Sequence, residues 1–185
     1  MTVELFRSGL LEGQAVVIAA GAGAFGDAAA RACAALAASV QRLDGDPLDE
    51  DATAGAAGRL GRVDVLVDDA AARFGAGGLR AAADGGWIAA RAVATAFMIT
   101  AGGKLVLVAP PPGAGEHAEA TRAALENLAR TLSIEWARYA IRPSAIAPGD
   151  ASSADDVAAL VAYLASPAGD YYSGCVFTMG EAVLA

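Results

Sequence analysis

The sequence has few basic residues, one histidine, two cysteines and no long apolar run. Although 56% of its residues are hydrophobic, no uninterrupted apolar stretch reaches the roughly 18 residues that span a membrane. The chain begins without a basic segment followed by an apolar core, so we expect no signal peptide. These absences favour a cytoplasmic protein that does not bind membranes.

The scarcity of basic residues excludes a further class of partner. Thirteen Lys and Arg residues stand against 21 Asp and Glu residues, which gives a formal net charge of −8. Because phosphate backbones require a basic surface, we expect no nucleic-acid partner. Cys33 and Cys175 lack metal-ligand spacing, so we expect reduced, structural thiols and no metal site.

The 185 residues predict a single domain, 1–185, of the doubly wound α/β class. Apolar strands alternate with helices, which predicts a Rossmann-like, mostly parallel sheet of about six strands with helices on both faces. The predicted strands are Ala15–Ala20, Ser39–Leu43, Val63–Val67, Lys104–Val108, Arg142–Ala147 and Gly174–Met179. The predicted helices are Asp27–Ala38, Asp49–Leu60, Trp87–Thr100, His117–Ala140 and Val157–Ala165, and the glycine-rich Ala72–Gly86 is predicted to be a loop.

A glycine pattern follows the first predicted strand. Gly21, Gly23 and Gly26 match G-x-G-x-x-G in AVVIAAGAGAFG. In that pattern the first glycine makes the turn, the second lets the backbone approach a pyrophosphate, and the third packs helix on strand. The helix N-terminus then offers free N–H groups to an anion. In a chain this rich in Gly and Ala, a plain β–α turn is an equal alternative.

Four blocks of the sequence together resemble the short-chain dehydrogenase/reductases. They are LLEGQAVVIAAG (Leu10–Gly21), GRVDVLVDDAA (Gly61–Ala71), TRAALENLARTLSIEWARYAIRPSAIAPGD (Thr121–Asp150) and DDVAALVAYLASPAGDYYSG (Asp155–Gly174). The resemblance implies a Rossmann-like domain, an oxidoreductase activity and NAD or NADP as cofactor. It also implies assembly into oligomers, because in the family the long helix and the C-terminal helix–strand unit make the subunit interfaces.

The resemblance places the family's catalytic positions on residues that lack the required chemistry. The Asn, Ser, Tyr and Lys of the family fall on Ala94, Pro110, Ala118 and Arg122. The family's reaction needs a phenol whose pKa is lowered by a neighbouring cation. Alanine has no proton to transfer, and arginine differs from lysine in shape and reach. We therefore expect the catalytic set to be lost.

The resemblance also nominates residues for cofactor binding. They are Gly21, Gly23, Gly26, Asp44, Asp46, Pro148 and Gly149. The chain looks shortened, with one strand–helix unit missing before Val63 and almost no lid loop after Gly149. Because a sheet cannot keep a gap of unpaired backbone groups, Ser39–Leu43 should lie beside the first strand. Asp44 or Asp46 would then lie where a ribose is held, unless both belong to a solvated turn.

The remaining candidates are two acids and the one histidine. Asp68 and Asp69 replace two asparagines of the family, and each carboxylate costs a nearby pyrophosphate roughly 2 kcal/mol at an effective dielectric near 20. A divalent ion between them is a minor alternative. His117 is either a replacement acid or a surface or helix-capping residue; one residue of helix is about 100° of rotation, which favours the surface.

The favoured hypothesis is a degenerate, non-catalytic relative with weak or absent NAD(P) binding. It would act as a scaffold in a homo-oligomer, dimer or tetramer, or as a partner in a hetero-oligomer with a related subunit. One alternative is an active NAD(P)-dependent oxidoreductase with a rewired site using Arg122, His117 or a solvent proton. The other is a nucleotide or small-ligand sensor without chemistry.

Overall fold

A six-stranded parallel sheet forms the centre of the protein. The computed structural model describes residues 6–20 and 22–180, and the strand order is β2-β1-β3-β4-β5-β6. This confirms the predicted doubly wound α/β class with about six strands. The strands are β1 Ala15–Ala19, β2 Ser39–Leu43, β3 Val65–Asp69, β4 Gly103–Val108, β5 Ile141–Pro148 and β6 Cys175–Met179.

The register confirms that Ser39–Leu43 lies beside the first strand. Ala15 pairs with Ser39 and Ala19 pairs with Leu43, while the other side of β1 pairs with β3. The chain therefore leaves β1 for one side of the sheet and returns from β2 to the other side. In open α/β sheets such a switch point opens a crevice at the carboxyl ends of the strands, which is where ligands bind.

Helices cover both faces of the sheet. They are α1 Ala24–Ala35, α2 Glu50–Ala57, α3 Ala70–Val93, α4 Ile99–Ala101, α5 Ala118–Glu135 and α6 Ala154–Ala165, with a π-helical turn at Ala94–Met98. Helices α1 and α6 pack with Val16 and Ile18 on one face. Helices α2, α3 and α5 pack with Val17 and Leu66 on the other. Because both faces are buried, the strands are continuous apolar runs rather than alternating ones.

Two predicted elements are wrong. Helix α1 begins at Ala24, inside the glycine pattern, and not at Asp27. The predicted loop Ala72–Gly86 is helical, and its only non-helical residues are Gly77 and Gly78. Each glycine costs a helix about 1 kcal/mol. Burial of one face of α3 in the core more than offsets that cost.

Several local predictions are confirmed. Ser153 caps α6 by accepting from the Asp156 N–H, and its hydroxyl donates to the Asp156 carboxylate at 2.6 Å. Glu126 and Arg130 form the expected pair along α5 at 2.7 Å. Leu125 is fully buried, as its place in the apolar stripe predicts. Within the described ranges, no helix has both the length and the hydropathy to cross a membrane.

Candidate functional site at the carboxyl edge of the sheet

Asp69, the last residue of β3, connects the N-termini of two helices. Its Oδ2 accepts from the Gly26 N–H at 2.7 Å, and its Oδ1 accepts from the Ala72 N–H at 3.0 Å. Gly26 lies in the first turn of α1 and Ala72 in the first turn of α3. A carboxylate suits both positions because free N–H groups and the helix dipole make a helix N-terminus positive. We call these two hydrogen bonds the Asp69 bridge.

The Asp69 bridge is almost completely removed from water. Asp69 is only 1% exposed. Burial raises the pKa of its carboxyl above the ordinary 3.8, while the N–H donors of Gly26 and Ala72 favour the ionised form and oppose the rise. The sequence predicts that Asp69 lies near a bound pyrophosphate, whereas in the structure its carboxylate itself accepts from an N–H in the first turn of α1.

Gly23 lies directly against the start of α3. A Cβ at Gly23 would lie 2.4 Å from Ala72 Cβ and 2.4 Å from Asp69 Oδ2, so only glycine fits. In the motif, the missing side chain of this glycine lets the backbone approach a pyrophosphate. Here Gly23 is instead in close contact with Ala72 and Asp69 of the same chain, and the Gly26 N–H already donates to Asp69. In this arrangement the residues do not fit a pyrophosphate between Gly23 and α3. Gly21, the first glycine of the predicted motif, lies outside the described residues.

Asp68 points to the opposite face of the sheet and is neutralised by Arg73. The Arg73 Nε donates to Asp68 Oδ1 at 2.9 Å, and the two side chains are 7% and 0% exposed. Burial raises the pKa of Asp68, and Arg73 opposes the rise. Among the described residues, Asp68 Oδ2 is buried without a hydrogen-bond partner. No group of metal-binding side chains occurs in residues 6–20 and 22–180.

Arg122 connects the ends of two neighbouring strands. Its Nη1 donates to the carbonyl of Pro110 at 2.9 Å and to the carbonyl of Pro148 at 2.6 Å. Pro110 follows β4 and Pro148 ends β5, and Arg122 is 9% exposed. Ala118, one turn earlier on α5, and Ala94 at the end of α3 are both buried. At the family's catalytic positions the structure thus has the Arg122 guanidinium, Pro110 and two buried alanines. The guanidinium donates to backbone carbonyls.

The loops after β4 and β5 are also joined to each other. The Gly113 N–H donates to Asp150 Oδ1 at 2.7 Å. The Gly149 N–H donates to the Met179 carbonyl at 2.6 Å, and a Cβ at Gly149 would lie 2.7 Å from that oxygen. The predicted cofactor residues Pro148 and Gly149 are therefore buried against Arg122 and the end of β6.

The predicted ribose acids lie beside a small opening at the end of β2. Asp44 and Asp46 are exposed, and Asp46 Oδ1 accepts from the Leu48 N–H at 2.9 Å, which is a turn contact. A cavity of about 350 Å³ lies next to this loop, lined in part by Pro47 and Arg73. Space for a small ligand thus persists on the β2 side of the glycine loop.

His117 lies at the surface, at the start of α5. It is the N-cap residue, with a left-handed backbone (φ 68°), and its imidazole is 65% exposed and 3.6 Å from Glu116. This position agrees with a surface location. The rotation along the helix also turns its side chain away from the direction of Ala118.

Several polar contacts of this edge are not predicted from the sequence. An Asp three residues before a helical N–H is a readable capping signal, so the contact of Asp69 with Ala72 could have been predicted. The contact of Asp69 with Gly26 and that of Asp150 with Gly113 join distant segments and have no local signal. Arg73 was hidden because the segment around it was interpreted as a loop.

Solved structures resemble this fold along nearly the whole chain. A citronellol catabolism dehydrogenase, AtuB, from Pseudomonas aeruginosa superposes with a TM-score of 0.81 and 24% identity, over 94% of this chain and 96% of that chain. A short-chain dehydrogenase from Mycobacterium smegmatis gives 0.80 and 22% identity, over 98% and 97%. BdcA, solved in complex with NADPH, gives 0.76 and 20% identity, over 91% and 93%.

No family model matches the sequence, and no curated protein matches it. These three structures are below 25% identical to the chain, so they establish the fold alone. The chain has the fold of the short-chain dehydrogenase/reductases, and the resemblance expected from its sequence is confirmed at that level.

Proposed function

We propose that this chain is a non-catalytic protein with the short-chain dehydrogenase/reductase fold, a scaffold or partner subunit of an oligomer that binds NAD(P) weakly or not at all. The observation that carries the proposal is that three charged side chains of the carboxyl edge bond to backbone groups of the same chain. Asp69 holds Gly26, Arg122 holds the two proline carbonyls, and Asp150 holds Gly113. An active site instead holds its reactive groups ready for a ligand.

The side chains near this edge support a loss of chemistry. Ala94, Pro110 and Ala118 offer no proton to a carbonyl or alcohol oxygen, whereas the family's reaction needs one. Arg122 carries a charge, but its Nη1 donates to the carbonyls of Pro110 and Pro148 at the ends of two strands. A guanidinium differs from a phenol in the shape and reach of its donors, so Arg122 is no substitute for a tyrosine acid.

Cofactor binding and turnover test this proposal directly. NADH and NADPH are titrated into the protein while tryptophan fluorescence reports quenching and energy transfer, with thermal shift as a second readout. Trp87 and Trp136 are stacked with ring centres 6.0 Å apart and supply the signal. We expect no saturation at micromolar cofactor and no absorbance change with a panel of alcohols and ketones. Turnover of any of these substrates would establish the rewired oxidoreductase instead.

The outer surface of α5 supports the assembly part of the proposal. Ile134 is 80% exposed on this helix, close along the chain to the half-buried Trp136. Strand β6 lies at the edge of the sheet formed by the described residues. Large apolar side chains and strand edges left open to water favour association.

Light scattering at micromolar concentration tests the assembly. We expect a multimer, and we expect Ile134→Asp to lower its mass. Leu48→Asp is the matched control, because Leu48 is exposed in the loop after β2, away from α5. A wild type that is monomeric, with no copurifying subunit, contradicts the scaffold role.

A small-ligand sensor is the second candidate, favoured by the cavity of about 350 Å³ beside the glycine loop. Its volume lies within the range of small-molecule sites. Adenosine monophosphate and ADP-ribose are suitable probes. Saturable binding of either without turnover supports the sensor.

A further inference from the structure

We propose that Asp69 is a built-in anion that takes the place of a phosphate at the N-terminus of α1 and keeps phosphate ligands from the glycine loop. This inference rests on the proposed function, because it explains weak or absent NAD(P) binding by one residue. The Asp69 bridge occupies the Gly26 N–H, one of the N–H groups that the first turn of α1 offers to an anion. It also holds the start of α3 against Gly23. The space beside this glycine, where the motif would let a phosphate approach the backbone, is therefore filled by Ala72 and Asp69.

The geometry makes Asp69 effective in two ways. Its charge neutralises the positive end of the α1 dipole, so a second anion gains little there. Its two oxygens bond to two different helices, so displacing the carboxylate also separates α3 from the loop. Because Asp69 belongs to the same chain and is positioned by β3, it competes with external ligands without loss of translational freedom.

The choice of substitution follows from the two oxygens. Asp69→Asn removes the charge and keeps one acceptor oxygen, so it satisfies either Gly26 or Ala72 but not both. Asp69→Ser retains a good N-cap for α3 and is too short to reach Gly26 as well. Asp51→Asn is the matched control, because it removes the same charge from an exposed residue in the first turn of α2.

The experiment measures binding of inorganic pyrophosphate and of NADPH by calorimetry to the wild type and the three variants. We expect weak binding to the wild type and to Asp51→Asn. We expect an affinity at least about tenfold higher for Asp69→Asn and Asp69→Ser, as removal of one close buried charge implies. Circular dichroism and the urea dependence of unfolding establish that the variants are folded.

The outcomes separate this inference from the proposed function. Tight binding of NADPH by the wild type contradicts both. If the wild type binds NADPH weakly and the folded Asp69 variants bind it no better, the proposed function stands and the role of Asp69 is overturned. An equal gain in Asp51→Asn also overturns it, because net charge alone would then explain the result.

One measurement on the wild type needs no variant. The Asp69 bridge predicts that the amide proton of Gly26 exchanges as slowly as amides of the buried strands, and that added NADPH leaves its rate unchanged. Fast exchange at Gly26, or a rate that falls as NADPH is added, overturns the proposal even if neither Asp69 variant folds.

Discussion

Arg122 should contribute to stability far more than an ordinary surface arginine. Its Nη1 donates to the Pro110 carbonyl at 2.9 Å and the Pro148 carbonyl at 2.6 Å, and the side chain is 9% exposed. We choose Arg122→Met because methionine fills the space of the arginine stem and has no N–H to donate. The substitution therefore leaves two buried carbonyl oxygens without their charged donor.

The expected cost follows from those two oxygens. A buried polar group left without its partner costs about 1–3 kcal/mol, and bonds to a charged donor lie in the upper part of that range. Partial access of water to the end of α5 lowers the sum, so we expect a loss of about 3 kcal/mol in the free energy of unfolding. For a chain of this size that loss corresponds to a fall in Tm of about 6–12 °C.

Urea unfolding monitored by tryptophan fluorescence measures this loss. Arg130→Met is the matched control on the same helix, because Arg130 is 60% exposed and pairs with Glu126 across one turn. Such exposed pairs contribute about 0.3–0.5 kcal/mol. If the two variants unfold within about 0.5 kcal/mol of each other, Arg122 does not fasten β4 to β5 and our interpretation of this edge is wrong.

Three further predictions concern stability and reactivity. Gly23→Ala, which places a Cβ 2.4 Å from two side-chain atoms, should cost about 1–3 kcal/mol in a thermal melt. Gly75→Ala, whose Cβ enters open space in the first turns of α3, should stabilise by about 0.5–1 kcal/mol, and equal effects of the two would contradict the packing described. Burial raises the folded pKa of the Asp68 carboxyl above its ordinary 3.8. The stabilisation of the folded state by the protonated carboxyl is therefore fully present below pH 3.8, and it is lost as the pH rises through the folded pKa. The free energy of unfolding of the wild type should therefore fall relative to Asp68→Asn as pH rises from about 4, measured by urea titrations at a series of pH values, and a difference independent of pH would refute this. Finally, burial raises the pKa of Cys33 to about 12, so a thiol reagent at mildly alkaline pH should label only the half-buried Cys175 in the native protein, and rapid labelling of both thiols would show that Cys33 is accessible.

Much of the fold could be predicted from the sequence because local pattern and tertiary position agree. The buried run of β1 predicts a parallel strand, and the deletion before β3 predicts that β2 moves next to β1. The capping residues Ser153 and Asp156 mark the start of α6 from local chemistry alone. The contact that caps α6 joins residues three apart in sequence. The strand pairings join distant residues, but a strand buried on both faces is a continuous apolar run that the sequence shows directly.

The wrong predictions share a physical reason. Gly75, Gly85 and the neighbouring glycines lower intrinsic helix propensity, but the buried face of α3 gains more from packing than they cost. In the first turn of α1, the Gly26 N–H donates to Asp69, which lies 43 residues away in sequence. Tertiary contacts of this kind override local preference, and a single sequence does not reveal them.

The sequence predicted where the candidate site residues lie in the sheet better than it predicted what they contact. The glycine pattern and the strand ends indicate the carboxyl edge, which is where the structure places Gly23, Gly26, Pro148 and Gly149. Their side-by-side placement follows from the parallel sheet. The hydrogen bonds across this edge join polar groups from different loops. Which of these groups meet is not determined by residue type alone, so the sequence did not predict the bonds.

The topology of the sheet also has a consequence for the order of folding. In the part of the chain that the structure describes, every neighbouring pair of strands is parallel, and the pairs Ala15–Ser39 and Lys104–Arg142 each enclose a helix. Parallel neighbours cannot form by a tight turn, so each pairing requires closure of a long loop before it is rewarded. Strand β1 is shared by the excursion to β2 and the return to β3. Synthesis of the first half of the chain therefore supplies β1, β2 and β3 before β4 exists, so these three strands are available to pair before the later strands are made.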